Sequence, residues 1–375
     1  MSQITLSRVF KPWLRTAAIW LLMPVCLVAG PTKEYSRSIN REFGTLADGT
    51  TVLYNKHGQV EVKTWGNNSV RIDIAIIVNA YSDRDAENMF NRINVNFANA
   101  PGYVKAETFV DGAGAWWDPP QNLDFRVEYT VYMPLNNQLE LRNRYANSAI
   151  ANLNGKLIAD IKYGDLKAAT LGNDADLNLG NGKAWISKVR NLYGAIAFGT
   201  LTINEAQDVQ IDSKNSILNI SAANSARLTS RYDNLTLGNV KELRLQTKYS
   251  DVKISGVGAS FITAQYSDVN VAFLTRLLDA DMQYGNLNVG NLQRGFDEVK
   301  MAGKHTDFTI VSDRSISYRF DLQGDGVCEM TLPREAIFRQ KHESANSKMM
   351  GGYVGDANTR SAISARLAYG ALNIR

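Results

Sequence analysis

A six-residue motif recurs seven times in this 375-residue chain: tyrosine, then Gly, Ser or Asp, then Asp, Asn or Ala, an aliphatic residue, any residue and an apolar one. It begins at Tyr163, Tyr193, Tyr232, Tyr249, Tyr266, Tyr284 and Tyr369, with weaker copies at Tyr145, Asp174, Asn215 and His305. From Asn215 the starts fall at 215, 232, 249, 266, 284 and 305, so the steps are 17, 17, 17, 18 and 21 residues. That period is too short for paired-helix repeats or propeller blades, and the leucine-rich-repeat core is missing. One rung of a parallel β-solenoid fits it, with in-register strands of successive rungs pairing about 4.8 Å apart.

Side-chain parity agrees. Two, four and six residues before three of the tyrosines stand apolar or small residues: Leu157, Ala159 and Ile161; Leu243, Leu245 and Thr247; Leu278, Ala280 and Met282. In a strand these share one face, while Arg244, Gln246 and Lys248 take the other. After the tyrosine, the small residue and the Asp or Asn suit a corner. Leu166 and Ala168, Val252 and Ile254, Val269 and Val271, and Leu287 and Val289 then turn inward again. The pattern predicts a ladder of tyrosines stacked at one inner corner. The competing arrangement is a meander of hairpins with coincidental tyrosines.

Proline marks two regions. None occurs in the 198 residues between Pro134 and Pro333, which suits continuously paired strands, because proline cannot donate to a ladder. Before Pro134 the chain is mixed. Residues 50–65 look like a hairpin turning near Lys56-His57-Gly58, and residues 69–80 alternate before becoming an unbroken apolar run. Ser82 can cap a helix carrying Ala86, Met89, Phe90 and Ile93 at helical spacing. Two strands, residues 103–110 and 123–134, follow, joined by the loop 111–122. The expected organisation is a leader over 1–30, a β-rich cap region with one helix over 31–135, and a solenoid over 136–375. Its last strand, 363–374, would close or terminate the coil, and 333–360 would be a loop excursion, helical at its start. The run Asp321 to Gly326 reads as a hairpin turn.

Residues 1–30 have the parts of a secretory signal: basic Arg8, Lys11 and Arg15, an uncharged largely apolar stretch from Thr16 to Val28, and small residues at 29 and 30. The stretch is shorter than the roughly 18 residues of a spanning helix, so no transmembrane anchor is expected in the mature chain. Lipidation at Cys26 is the lesser alternative, since Met23-Pro24-Val25 matches a lipobox poorly. Without the leader, 38 Lys and Arg face 37 Asp and Glu, which argues against a broad nucleic-acid-binding surface. Cleavage would also leave Cys328 as the sole cysteine, with no intramolecular disulfide possible.

The segment from Arg41 to Ile76, REFGTLADGTTVLYNKHGQVEVKTWGNNSVRIDIAI, followed by tandem Tyr-[Gly/Ser]-Asp-[Leu/Val] rungs, resembles the DUF4097-type adhesin family of bacterial envelopes, particularly those of Bacteroidota. The resemblance covers most of residues 40–375 and rests on repeat style, with no catalytic motif. It implies a β-solenoid periplasmic or surface protein and hands over no functional residues.

The residues point to few sites. His57, His305 and His342 are far apart and match no metal-ligand spacing, so no metal or cofactor is expected. Asp251 and Asp268 hold the same repeat position and could stack one rung apart, where a calcium ion would relieve their repulsion. Corner geometry explains them as well, since Asn234 and Asn286 fill the same slot. Nucleophile-elbow, Walker and dinucleotide patterns are missing from the sequence. Glycan hydrolysis would need two carboxylates held together in a groove. Trp116 and Trp117, before Asp118-Pro119-Pro120, form a possible ligand-contact loop for a sugar or protein, or fold back on the first rung. The first expectation is an exported, non-enzymatic, adhesin-like envelope protein of periplasm, surface or exterior, binding a cell-surface glycan or envelope protein. The alternative is a carbohydrate-active enzyme or carbohydrate-binding module on the same scaffold. A third is a structural protein that self-associates through its edges.

Overall fold

The structure, a computed structural model, describes residues 32–111, 124–313 and 315–375. The leader with Cys26, and the loop tryptophans Trp116 and Trp117, lie outside the described residues. The chain forms a parallel β-solenoid of about ten turns, as the repeat predicts. Fifteen-residue strands such as Asn234–Lys248 and Asp251–Gln265 lie in parallel register, Leu235 on Val252, Leu243 on Ser260, Leu245 on Ile262.

Each rung has three sides. From the corner tyrosine at 232, Leu235 and Leu237 point inward, Val240 follows on a short middle side, and Leu243, Leu245 and Thr247 fill the long third side. The alternation slips from two residues to three at Leu237, Val240 and Leu243, and the pairing skips Gly238 and Lys241 there, which marks the two further bends. Equivalent residues of neighbouring rungs pile into one continuous apolar core, so each rung buries what its neighbour would otherwise expose.

The coil begins inside the N-terminal region. Thr50–Lys56 and Val60–Trp65 do not pair with each other, so the expected hairpin is corrected to a rung whose corner is His57. Thr50–Lys56 lies parallel to Gln138–Arg144 of the next rung, and Val60–Trp65 lies parallel to Ser148–Ile150. The true hairpin is Ile93–Ala100 with Tyr103–Val110, and the latter pairs parallel with the first rung. On the other side Asp124–Pro134 docks parallel on Val60–Trp65 and continues, antiparallel, through Ser69–Ala80 to Lys33–Gly44. The helix α1, Asp83–Phe90, packs Ala86, Met89 and Phe90 into the core, and Ser82 caps it by accepting from the Asp85 amide at 3.2 Å.

The far end departs from expectation. Ala362–Ala368 and Ala371–Ile374 carry the last tyrosine, Tyr369, yet do not end the stack: they lie between Glu298–Ser312 and the later-stacked rung of Tyr318–Asp325 and Glu329–Thr331. Residues 321–326 therefore belong to that rung and its corner, in place of a hairpin turn. The predicted excursion is an antiparallel hairpin, Ile337–Glu343 with Ser347–Val354, and its start is not helical. It covers the end by pairing with Tyr318–Asp325. Two of the edge strands are charged: Lys33–Gly44 carries Lys33, Glu34, Arg37, Arg41 and Glu42, and Ile337–Glu343 carries Arg339, Lys341 and Glu343, whereas the edge strand Ile93–Ala100 carries no charge. Charge on an edge strand opposes pairing with another molecule.

Candidate binding surfaces

The repeat motif builds a single column at one corner. His57, Tyr145, Tyr163, Asn181, Phe198, Asn215, Tyr232, Tyr249, Tyr266, Tyr284, His305 and Tyr369 all have φ between 50 and 62°. Their rings stack nearly parallel in two runs, His57 to Tyr163 and Tyr232 to Tyr369, with centroids 4.8 to 5.2 Å apart. A left-handed residue costs about 1–2 kcal/mol unless it is glycine. The ladder continues through the corner, with the Tyr232 amide donating to the Lys248 carbonyl at 3.0 Å and the Tyr249 amide to that of Gln265 at 3.0 Å.

Two expectations about this column are corrected. The tyrosines stand outside the corner, exposed, because the positive φ shifts the strand alternation by one residue. The inward place falls to the small residue that follows: Ser250, Ser267 and Thr306 are buried. Tyr193 is not in the column at all. It lies within Lys183–Ala197, paired between Asp176 and Gln210, and Phe198 takes the corner of that rung. The weak copy at Asp174 likewise falls on a bend.

Apart from Ala146, the inner corner is polar where it is not glycine. Asp233, 3% exposed, accepts from the Ser213 and Ser230 hydroxyls at 2.6 and 2.8 Å and from the Ser216 and Arg231 amides at 2.7 and 3.0 Å. One position further on, Asp251 and Asp268 do stack on adjacent rungs. Residues of this column tie rung to rung: Asp165 accepts from the Lys183 amide at 2.8 Å, Asp268 from that of Asn286 at 3.0 Å, and Asp307 from that of Ala371 at 2.9 Å. Among the described residues no group of three or more His, Cys, Asp and Glu could hold a metal ion. His57 and His305 are corner rings, and His342 lies on the terminal hairpin. Burial lowers the His57 pKa, and neighbouring Lys56 adds to it.

A concavity of about 1010 Å³ is a groove along the short middle side. Its outward residues come one per rung, Lys188, Glu205, Ala222, Asn239, Gly256 and Phe273, on successive paired strands. Six rungs at roughly 4.8 Å make it about 24 Å long. A second column, Arg190, Gln207, Asn224, Lys241 and Gly258, forms one rim. Ala222 and Gly256 deepen the floor, and exposed Phe273 closes one end. Glu205 is the sole carboxylate among the lining residues, and Lys188 pairs with it at 2.8 Å.

Carboxylates gather instead in a shallower depression of about 480 Å³ on the long side, where Glu140, Asp160, Asp176 and Asp212 surround Tyr193. Three of the four are engaged. Glu140 accepts from the Tyr54 hydroxyl at 2.6 Å and from Arg142 at 3.0 Å, Asp160 accepts from Asn178 at 3.1 Å, and Asp176 pairs with Lys156 at 2.6 Å. Hydrogen bonding to Glu140, with burial as the larger cause, pushes the Tyr54 hydroxyl up to about 12. That depression offers no free acid–base pair of the kind glycan hydrolysis uses. The sequence did not single out the groove, because its residues share a column only once the rung has two extra bends.

No protein-family model matches the sequence, and no curated protein does. Some solved structures match over most of the chain, at low similarity. A proposed cell adhesion protein from Clostridium sporogenes is 11% identical with a TM-score of 0.21, over 92% of this chain and 98% of that one. Proposed adhesins from Parabacteroides merdae and Parabacteroides distasonis are each 11% identical with a TM-score of 0.28. Each match covers 92% of this chain, and 96% and 97% of the respective partner. Likeness at this level carries no functional argument. Among the described residues no helix is long and apolar enough to cross a membrane.

Proposed function

We propose that this is an exported, non-enzymatic, adhesin-like protein of the bacterial envelope, of the DUF4097 type, that binds an extended ligand along its solenoid. The observation that carries the reading is the groove of the middle side, which repeats one lining position per rung over six rungs. A periodic surface of this kind fits an extended periodic ligand, and a cell-surface glycan chain is the class whose hydroxyls the rim amides of Gln207 and Asn224 and the floor amide of Asn239 can pair. The ion-paired state of Glu205 favours holding over cleaving. Residues 1–30 serve as the export signal, and residues 31–135 form a cap region that already contains the first rung, with its corner at His57. Trp116 and Trp117 provide a further contact loop.

The test is a glycan-array and envelope pull-down screen of residues 31–375 against an Ala222→Lys/Gly256→Lys variant. Both positions face outward, and Lys188 shows that the column accepts lysine. The expected result is capture by the parent and loss in the variant. Equal capture by both removes the groove, and shortening of a captured glycan turns the reading to an enzyme. A Trp116→Ala/Trp117→Ala variant, run in parallel, loses part of the binding if the loop contributes.

A further inference from the structure

The aromatic column is interrupted once, and two anomalies coincide there. Between Tyr163 and Tyr232 the corner positions are Asn181, Phe198 and Asn215, and no ring of the column stacks on Phe198 among the described residues. Phe198, 59% exposed, is barer than any tyrosine of the column. Two positions along, where other rungs carry Asp165, Lys183, Thr200, Asn234, Asp251 and Asp268, stands exposed Ile217. Phe198 and Ile217 line one open concavity of about 680 Å³ with Asp165, Asn181, Lys183, Asn215 and Tyr232.

The break has a defined width. Phe198 lies two rungs from Tyr163 and two from Tyr232, roughly 9.6 Å each way. In each interval an asparagine ends at its amide, where a tyrosine would continue into a ring. A flat six-membered ring placed beyond the amide would lie about 4.8 Å from either wall. That is the spacing the stacked tyrosines themselves keep, 4.8 to 5.2 Å. Each interval therefore admits one ring.

The chemistry of the slot selects the ring. Asn181 and Asn215 are exposed; their backbone amides donate to the Ala197 and Arg231 carbonyls at 3.1 and 3.0 Å, while their side-chain amides make no hydrogen bond among the described residues. An aromatic side chain of a partner protein would stack on the walls but cover an amide without pairing it, and an unmade hydrogen bond of that kind costs about 1–3 kcal/mol. A pyranose satisfies both demands, since its C–H faces pack on aromatic rings while its edge hydroxyls donate to and accept from an amide. We infer that the break in the tyrosine column is a pair of sugar-ring slots, one over Asn181 between Tyr163 and Phe198, the other over Asn215 between Phe198 and Tyr232. They lie on a different side of the rung from the groove, and stand or fall separately from it.

The experiment is saturation-transfer NMR of residues 31–375 with the methyl pyranosides of glucose, galactose, mannose and N-acetylglucosamine and their linear hexasaccharides. N-acetyltyrosine amide serves as the competing aromatic probe. The deciding variant is Asn181→Tyr/Asn215→Tyr, which fills both slots with the residue the column prefers and so keeps the fold, confirmed by an unchanged or raised thermal midpoint. The expected result is transfer to at least one pyranoside, weakened roughly tenfold or more in the filled variant and in Phe198→Ala. It should persist in Ala222→Lys/Gly256→Lys. No transfer to any sugar overturns the inference, as does equal transfer in the filled variant. Displacement-free binding of N-acetyltyrosine amide in place of sugar also overturns it.

Discussion

Tyrosine is a costly choice for a left-handed corner, and the stack is what offsets it. Tyr249 touches rings on both sides, at 5.0 Å each. Each aromatic pair contributes about 0.5–1.5 kcal/mol. Tyr249→Ala keeps the backbone strain and loses both contacts, so a loss of about 1–3 kcal/mol is expected. Tyr249→Gly loses the same contacts but relieves the strain, and should cost less. Urea midpoints of the two variants check the order, and an equal loss would mean that the corner is unstrained. His57 adds a pH dependence. Its native pKa lies below the ordinary 6.5, through burial first and Lys56 second. Its contribution to stability is complete above about 6.5 and is lost as pH falls through that value towards the depressed native pKa. Thermal midpoints should fall less between pH 7.5 and 5 in His57→Phe than in the parent. At this scale the sequence was legible except for the side of the corner that the rings occupy and at Tyr193, whose Tyr-Gly-Ala-Ile matches the motif letter for letter. Phe198 stands 17 residues before Asn215 and 17 after Asn181, so the period located the corner where the letters misled.

Along each strand the spacing of apolar residues was enough to assign the inward face, because burial follows the strand period. What spacing could not show was the residue after the tyrosine, which looked like loop and is core. Asp233 illustrates the consequence. Its two oxygens serve four donors, and Asn can offer only one acceptor oxygen while turning an N–H₂ towards the others. Asp233→Asn should therefore cost about 1–3 kcal/mol, as a buried polar group left unmade does. A urea midpoint within error of the parent would show that water or a shifted serine replaces the lost acceptor. The supposed hairpin at residues 50–65 failed for a related reason. A strand–corner–strand segment has the same pattern whether its strands pair with each other or with strands remote in sequence, as Thr50–Lys56 does with Gln138–Arg144.

The molecule as a whole is closed by order of stacking, which differs from order of synthesis. Ala362–Ala368 and Ala371–Ile374 bridge two rungs that have no other strand between them. Asp325 seals the corner there: one oxygen accepts from the Cys328 amide and thiol at 3.1 and 2.9 Å, the other from the Tyr369 amide at 3.0 Å. The Cys328 thiol bond, first among the causes, holds Asp325 below the usual carboxylate range, while burial raises the Cys328 pKa. Removing residues 361–375 should leave two unpaired ladders face to face and give aggregates on size exclusion. If the last strands merely ended the coil, the shortened protein would elute as a compact monomer.

The tyrosine period and the parity of its neighbours determined a parallel coil and named most of its corner and core, because both are local consequences of strand geometry and a repeating length. The tertiary structure alone decided which residues face the groove, which side of the corner the rings occupy and where the last strand inserts. Those depend on bends and pairings between rungs, and a one-residue shift at a left-handed position reverses inside and outside without changing a letter of the sequence.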